Sequence, residues 1–275
     1  MLFNKSLTNP IKKPLLGLIA TAVLGTPLIA HQAQAMTPQE RGMEISVEAK
    51  QRDIGWTDMA TVMTMTLRNK AGQESVREIR LKSLEQEKDG DKSLTVFDQP
   101  RDVKGTAFLS FSHIDGADDQ WLFLPALKRV KRISSRNKSG PFMGSEFAFE
   151  DLTSFEVAKY SYKYQGDESL DGIDSFVVEQ YPTDKYSGYT RRVVWLDKAH
   201  YRVQKVDFYD RKNSLLKTLS FAQYKQYLGQ YWRADRATMT NHQTGKTTVL
   251  DYADYRFKVG LKASDFNKNS LKRAR

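Results

Sequence analysis

The sequence predicts a mainly β protein: an antiparallel sheet, sandwich or barrel of about eleven strands, with one helix before it and a short helix after it. Two observations predict this class. After residue 55, apolar residues recur at every second position in many short runs. Turn signals such as Asn69–Gly72, Asp89–Asp91 and Asp171-Gly172 separate these runs. The chain of 275 residues is long enough to bury a sizeable core.

The first 35 residues are predicted to be a secretory signal peptide. Three lysines without an acid precede an apolar run, Leu15–Ala30, and Ala33–Ala35 matches a small-x-small cleavage pattern. An uncleaved anchor is the alternative, but the run is short for a span, which needs about 20 apolar residues. We therefore expect Sec export to a periplasm, with residues 36–275 forming a single domain.

The helix is expected over residues 38–54. Thr37 can cap its first turn, and Glu40 lies at the position that completes a capping box. Gly55 marks its end. At helical spacing its apolar face is expected to consist of Met43, Val47 and Ile54.

The strands follow from period-two alternation. In the first half they are expected at Met63–Leu67, Ile79–Leu81, Leu94–Phe97, Ala107–Phe111 and Trp121–Leu124. In the second half they are expected at Tyr160–Tyr164, Phe176–Gln180, Tyr189–Leu196, Tyr201–Tyr209, Leu215–Tyr224, Tyr231–Asn241 and Lys246–Phe257. Between the halves, residues 133–155 show no regular hydrophobic period and are expected to form a long irregular connection. Long loops in compact domains are often functional.

Several strands are apolar on both faces. In Trp121–Leu124, the first and third side chains point to one side of an extended strand and the other two point to the opposite side. Since one sheet layer has one core face, a second layer or a ligand must cover the other, and both explanations fit. If a cavity forms, its expected apolar lining is Met63, Met65, Phe108, Trp121, Phe123, Phe142, Met143 and Phe147.

The sequence contains no recognisable catalytic or metal site, so we expect neither an enzyme nor a bound cofactor. The three histidines after residue 35 stand far apart and not at metal-ligand spacing. Ser135–Lys138 has S-x-x-K spacing but lacks the partner motifs of penicillin-binding enzymes. Without cysteine, thiol catalysis and thiolate metal sites are excluded.

The chain is basic, with a net charge of +10, of which the first 35 residues hold three charges, leaving +7. Outside the cytoplasm this favours lipid headgroups or anionic glycans over nucleic acid. Nucleic-acid binding would also interleave aromatic and basic residues, whereas here they only flank each other. The basic run is expected to be either a solvated face or a docking surface, formed by Lys128, Arg129, Lys131, Arg132, Arg136 and Lys138.

Several segments carry a resemblance to a known family. They are Gly55–Met59, Gly105–Leu109, Asp119–Leu127, Phe142–Phe147 and Glu150–Leu152. Together they resemble the outer membrane lipoprotein-sorting proteins of the LolA-like group, over essentially the whole chain after residue 35. The group often has Asp where this chain has Glu146.

The resemblance implies a strongly curved antiparallel sheet, an incomplete β-barrel with helices covering its open side. It further implies a periplasmic carrier of a lipid or lipoprotein acyl chain, with an RND-type inner-membrane transporter as partner and the membrane surface as a further contact. It brings no catalytic residues. The alternative is a non-carrying periplasmic adaptor of a membrane transporter, which would use the basic run and need no cavity.

Overall fold

The computed structural model describes residues 35–273, so the predicted signal peptide lies outside the described residues apart from Ala35. In this described part, one α-helix, α1 (Pro38–Gln51), precedes thirteen strands of one sheet. The strands are β1 Asp58–Arg68, β2 Glu74–Leu84, β3 Lys92–Gln99, β4 Ala107–Phe111, β5 Asp119–Leu124, β6 Arg129–Ile133, β7 Tyr160–Leu170, β8 Ile173–Pro182, β9 Tyr189–Asp197, β10 Val203–Asp210, β11 Leu215–Tyr227, β12 Tyr231–Asn241 and β13 Thr247–Phe257.

The sheet is an antiparallel meander in two halves. Strands β1 to β6 follow one another outward from β1, and β13 to β7 follow one another outward from β13. The halves meet where β1 pairs with β13. The two edge strands are therefore β6 and β7, which are consecutive in the chain. The connection between them, residues 134–159, must cross from one edge to the other, and we call it the crossover segment.

The sheet curves until its edges approach each other. Asp118 immediately precedes β5 and Lys159 immediately precedes β7, and their side chains form an ion pair. In a flat sheet the eleven steps from β5 to β7 would span about 50 Å, at about 4.8 Å a step. In the described residues no ladder joins β6 to β7, so the barrel is incomplete. The predicted fold class is thereby confirmed.

The inner face of this curved sheet carries one continuous apolar cluster. Its buried members come from both halves of the sheet, for example Phe108, Val178 and Met239. The outer face carries smaller, separate clusters. In one of them Phe123 packs with Leu271, from the residues that follow β13. Strands β4 and β5 are therefore covered by protein on both sides, which accounts for their two apolar faces.

Strand β6 was not among the predicted strands. Three of its five residues are arginine or lysine, so it lacks an alternating apolar pattern. As an edge strand it leaves backbone hydrogen-bonding groups unpaired, and charged side chains there discourage pairing with another chain. Its basic composition is thus a property of its place in the sheet.

Helix α1 begins with the predicted capping box between Thr37 and Glu40 and ends at Gln51, three residues before the predicted end. Its predicted apolar face is wrong, because Met43 is exposed while the buried residues are Gly42, Ile45 and Ser46. A glycine buried by close contact has no hydropathy signal to reveal it. No helix of the described chain is long and apolar enough to cross a membrane.

Replacing Gly42 by alanine is expected to destabilise the protein. The new Cβ would lie 2.9 Å from the backbone nitrogen of Tyr164 in β7 and 3.0 Å from that of Lys163. In an exposed helix this change stabilises by about 1 kcal/mol, whereas overpacking here is expected to cost about 1–3 kcal/mol. Chemical unfolding measures the difference, with Glu44→Ala on the exposed side of α1 as the control. Unchanged or raised stability would contradict the close packing of α1 on β7.

Candidate functional site

The crossover segment covers the inner face of the sheet with aromatic side chains. Phe142 is 1% exposed and Phe147 is 4% exposed. The ring centroid of Phe142 lies 5.1 Å from that of Phe108 on β4 and 5.7 Å from that of Phe149. These rings occupy the space in which a ligand of the inner face would lie.

A tight turn in the crossover segment presents these rings. The backbone nitrogen of Phe142 donates to the carbonyl of Phe147 at 2.7 Å. Met143 and Gly144 have φ of 49° and 77°, in the left-handed region that glycine adopts freely and methionine rarely. Arg77 of β2 donates to the Met143 carbonyl at 2.6 Å. The turn is therefore held against the sheet by a side chain as well as by its own backbone.

The structure brings six of the eight predicted lining residues together on the inner face. They are Met63, Met65, Phe108, Phe142, Met143 and Phe147. Trp121 and Phe123 instead belong to the outer-face cluster. On β5 the inner face is formed by Leu122 and Leu124. The predicted lining is corrected at these positions, because alternation separates the two faces of a strand but does not say which of them faces inward.

A buried ion pair anchors the crossover segment to β11. The Lys217 ammonium lies 2.7 Å from the Asp151 carboxylate, and each side chain is 4% exposed. Lys217 also donates to the Glu146 carbonyl at 2.8 Å, and the Tyr189 hydroxyl donates to Asp151 at 2.7 Å. Burial, together with the neighbouring Asp151 charge, raises the pKa of Tyr189, so its hydroxyl remains a donor at neutral pH.

Two glutamates of the crossover segment add further anchors. Glu150 accepts hydrogen bonds of 2.8 Å from the Gly188 backbone nitrogen and from the Ser187 hydroxyl. Burial raises the pKa of Glu150. Glu146 accepts a hydrogen bond of 2.7 Å from the Asn241 amide at the end of β12. The segment is thus tied to the strands of the second half of the sheet mainly through polar side chains.

Sequence reasoning missed the anchor formed by Lys217 and Asp151. Lys217 shares a strand face with Leu219 and Phe221, so a lysine stands among inward-facing apolar residues. A lysine at such a position indicates a buried partner, because lysine is almost never fully buried without one. The partner lies 66 residues away in the chain, and one sequence does not identify it.

The last residues of the crossover segment meet α1 and the loop between β2 and β3. Lys50 of α1 donates to the Phe155 carbonyl at 2.9 Å and pairs with Glu156 at 3.2 Å. The backbone nitrogen of Asp91, in the loop, donates to the Ser154 hydroxyl at 3.3 Å. Burial raises the pKa of Asp91 from 3.8 to about 6. Three elements therefore meet beside a half-buried carboxyl group.

The raised pKa of Asp91 predicts a pH-dependent stability. Since the folded carboxyl binds protons more tightly than the unfolded one, its contribution is most favourable below pH 3.8 and is lost as pH rises to about 6. Asp91→Asn remains neutral, so it is expected to melt above the parent near neutral pH and to lose this advantage at about pH 4. Melting curves at both pH values measure this, with Asp115→Asn as the exposed control. A constant difference between variant and parent would contradict the prediction.

The predicted docking residues do not form one uniform surface. Three of them are exposed and form no ion pair among the described residues: Lys128, Arg129 and Lys131. The others are engaged by neighbours, Arg132 by Asp119, Lys138 by Asp184 and Arg136 by the ring of Tyr186. Leu127, at the tip of the β5–β6 hairpin, is 68% exposed. Among the six predicted docking residues, the cations with neither an ion pair nor an aromatic-ring contact in the described chain therefore all lie in this hairpin.

Cavities open on several sides of the crossover segment. One of about 820 Å³ lies between residues 139–148 and the ends of β9 to β12. Another of about 360 Å³ lies beside Thr153 and the loop before β9, and one of about 250 Å³ lies beside Gly144 and the β1–β2 turn. Polar as well as apolar residues line them. In the described part of the chain no group of three or more His, Asp or Glu side chains is placed to hold a metal ion.

Comparison with known proteins gives the following relatives. A protein-family profile described as "Uncharacterized protein" matches residues 89–273. No curated protein matches the chain. A solved domain from Vibrio parahaemolyticus, described as an outer membrane lipoprotein-sorting protein domain, is 66% identical, with 86% of this chain and 100% of that chain covered and a TM-score of 0.84. A DUF1329 family protein from Desulfovibrio piger is 32% identical at the same coverage, with a TM-score of 0.82.

A third solved structure concerns the fold. A LolA superfamily protein from Nitrosomonas europaea is 23% identical, with 86% of this chain and 99% of that chain covered and a TM-score of 0.67. The curved open sheet implied by the resemblance is thereby confirmed as LolA-like.

Proposed function

This chain belongs to the outer membrane lipoprotein-sorting protein family, and we propose that it is a periplasmic carrier of a lipid or lipoprotein acyl chain between envelope membranes. The predicted signal peptide, residues 1–35, supports the periplasmic location. An RND-type inner-membrane transporter is the partner we propose on the strength of the sequence resemblance. The β5–β6 hairpin, with its free cations, is the surface we assign to that partner or to the membrane.

One observation carries the proposal: the apolar inner face has a cover that contributes no strand to the sheet. The crossover segment contains only short 3₁₀ turns and an internal bridge between Pro141 and Ala148. Its displacement would therefore break side-chain anchors but no ladder between sheet strands. A sheet face that is apolar beneath a separable cover suits a cargo that must be taken up and released.

The free energy of acyl-chain transfer explains why such a face is needed. Burying an acyl chain gains about 0.8 kcal/mol per CH₂, so a chain of about sixteen carbons represents roughly 12 kcal/mol. An acyl chain with so large a transfer free energy must be shielded from water while it crosses the periplasm. When the crossover segment is displaced from the inner face, the acyl chain would occupy the apolar space that Phe142, Phe147 and Phe149 fill in this structure.

Lipid analysis of protein purified without detergent tests carriage. We expect extracts to contain lipid at about one molecule per protein, and a fluorescent fatty acid to bind with matching stoichiometry and to be displaced by unlabelled fatty acid. A protein of similar size without an apolar face, purified in parallel, is the control for adsorbed lipid. The absence of both co-purified lipid and fatty-acid binding would overturn the carrier proposal.

A second function is favoured by a different observation. The inner face is filled by the protein's own side chains, which is what a non-carrying adaptor of a membrane transporter would need. Such an adaptor would act through the exposed β5–β6 hairpin. A loss of cellular function in Lys128→Gln/Arg129→Gln/Lys131→Gln, together with no binding of fatty acids by the parent protein, would support the adaptor over the carrier.

A further inference from the structure

Three hairpin turns place free cations along one rim of the sheet. They connect β1 to β2, β10 to β11 and β12 to β13, and these six strands are neighbours in the order β10, β11, β12, β13, β1, β2. The cations are Lys70, Arg211, Lys212 and Lys246, all exposed and without an ion pair in the described chain. The β1–β2 and β12–β13 turns are in contact, since the Lys70 Cγ lies 3.4 Å from the place of a Cβ on Gly245. The β12–β13 turn also contacts the β10–β11 turn, because the Gln243 amide donates to Asp210 at 2.9 Å.

The cavity of about 820 Å³ lies beneath this rim. Three of the cations line it: Arg211, Lys212 and Lys246. Its lining also includes Phe147, Tyr189 and Leu216, which belong to or pack against the inner-face cluster. One cavity therefore joins a cationic rim to the apolar interior, next to the turn of the crossover segment.

Four cations and two carboxylates, Glu146 and Asp210, line this cavity, so the carboxylates offset part of the positive charge and the lining stays net positive. Glu146 accepts a hydrogen bond of 2.7 Å from the Asn241 amide. Asp210 accepts one of 2.9 Å from the Gln243 amide and two from backbone nitrogens of its own turn. The remaining cation of the lining, Lys217, is paired with Asp151, so it adds no free charge. Arg211 donates to the backbone carbonyls of Ser187 and Tyr186 at 3.2 and 3.3 Å, but none of the three rim cations is paired with a carboxylate in the described chain.

We propose that this cavity is the headgroup site of the cargo, and that it takes the phosphate group of an anionic amphiphile whose acyl chain enters the inner face past Phe147. The inference rests on the proposed carrier function and names its cargo class. A guanidinium and two ammonium groups lining one cavity suit phosphate, which accepts several charge-assisted hydrogen bonds. The cavity volume of about 820 Å³ lies in the range of small-molecule sites.

Two soluble amphiphiles that differ only in the phosphate test the proposal. Calorimetric titration of the protein with a short-chain lysophosphatidic acid, and with the monoacylglycerol of the same chain, is done below the micelle concentration. We expect the phosphate-bearing compound to bind ~10-fold more tightly, since partly exposed ion pairs each contribute modestly. Arg211→Gln/Lys212→Gln/Lys246→Gln is expected to lose this preference and to bind the monoacylglycerol like the parent.

Controls distinguish binding at the proposed headgroup site from binding at other surface cations. The variant Lys128→Gln/Arg129→Gln/Lys131→Gln removes three exposed cations that lie outside this cavity and is expected to keep the preference for the phosphate-bearing compound. Equal binding of both amphiphiles by the parent would overturn the headgroup site and leave the carrier standing. Inorganic phosphate alone binding as tightly as the lysophosphatidic acid would overturn the assignment to an amphiphile. Binding of neither amphiphile would overturn the carrier proposal itself.

Discussion

Replacing Phe142 by alanine is expected to lower the free energy of unfolding by about 3–5 kcal/mol and, at the same time, to tighten the binding of a single acyl chain. The side chain is almost fully buried, and its ring packs against those of Phe97, Phe108 and Phe149. Its removal leaves an apolar space on the inner face, and apolar cavities of this kind accept apolar ligands. The same side chain thus stabilises the empty carrier and competes with cargo.

Phe266→Ala is the matched control for this prediction. Phe266 is also almost fully buried, but it lies in the outer-face cluster. Its truncation is expected to cost a similar amount of stability without strengthening fatty-acid binding. Denaturant unfolding gives the first quantity and fluorescence titration the second, at a temperature where both variants remain folded. If Phe142→Ala binds no better than Phe266→Ala, cargo does not take the place of the crossover segment.

Replacing Lys217 by methionine is expected to cost about 3–5 kcal/mol of stability, because it leaves the Asp151 carboxylate buried without its cation. Methionine keeps most of the apolar stem of the lysine. Asp151 would retain the hydrogen bonds from the Tyr189 hydroxyl and the Ala148 backbone nitrogen. The double variant Lys217→Met/Asp151→Asn is expected to recover part of the loss, since asparagine is neutral and still accepts hydrogen bonds.

A surface pair provides the comparison. Lys225 pairs with Asp235, and its side chain is well exposed, so Lys225→Met is expected to leave the unfolding midpoint unchanged. Limited proteolysis adds a local readout, because a released crossover segment exposes Lys138 and Lys159 to trypsin. Equal stability and equal cleavage in Lys217→Met and Lys225→Met would show that the buried pair does not anchor the segment.

Local patterns in the sequence were enough to predict most of the sheet. Strand β12, for instance, has the predicted bounds Tyr231–Asn241, because its alternation and flanking turns are contained in the strand itself. Features that depend on how the strands assemble into the sheet could not be predicted. Whether Trp121 or Leu122 faces inward depends on the direction of curvature, and the basic β6 is a strand only because it has β5 to pair with.

The residues of the candidate site likewise include some that the sequence could predict and some that it could not. Phe142 and Phe147 could be predicted as buried lining residues because they are aromatic residues in a long irregular connection. The anchors Lys217, Asp151 and Asn241 could not, because their significance depends on contacts between distant parts of the chain. The cationic rim was missed for the same reason, since its residues lie in three separate turns that only the sheet brings together.

Bound cargo is expected to displace the crossover segment from the inner face. Hydrogen exchange of the amides between residues 140 and 152, with and without a saturating short-chain amphiphile, tests it most directly. In the structure the Phe142 amide donates to Phe147 and the Glu150 amide donates to Lys138. Displacement predicts faster exchange at these amides when cargo is bound, while the amides of β4 remain protected. Cargo that binds and leaves the exchange of this segment unchanged or slower would contradict the claim.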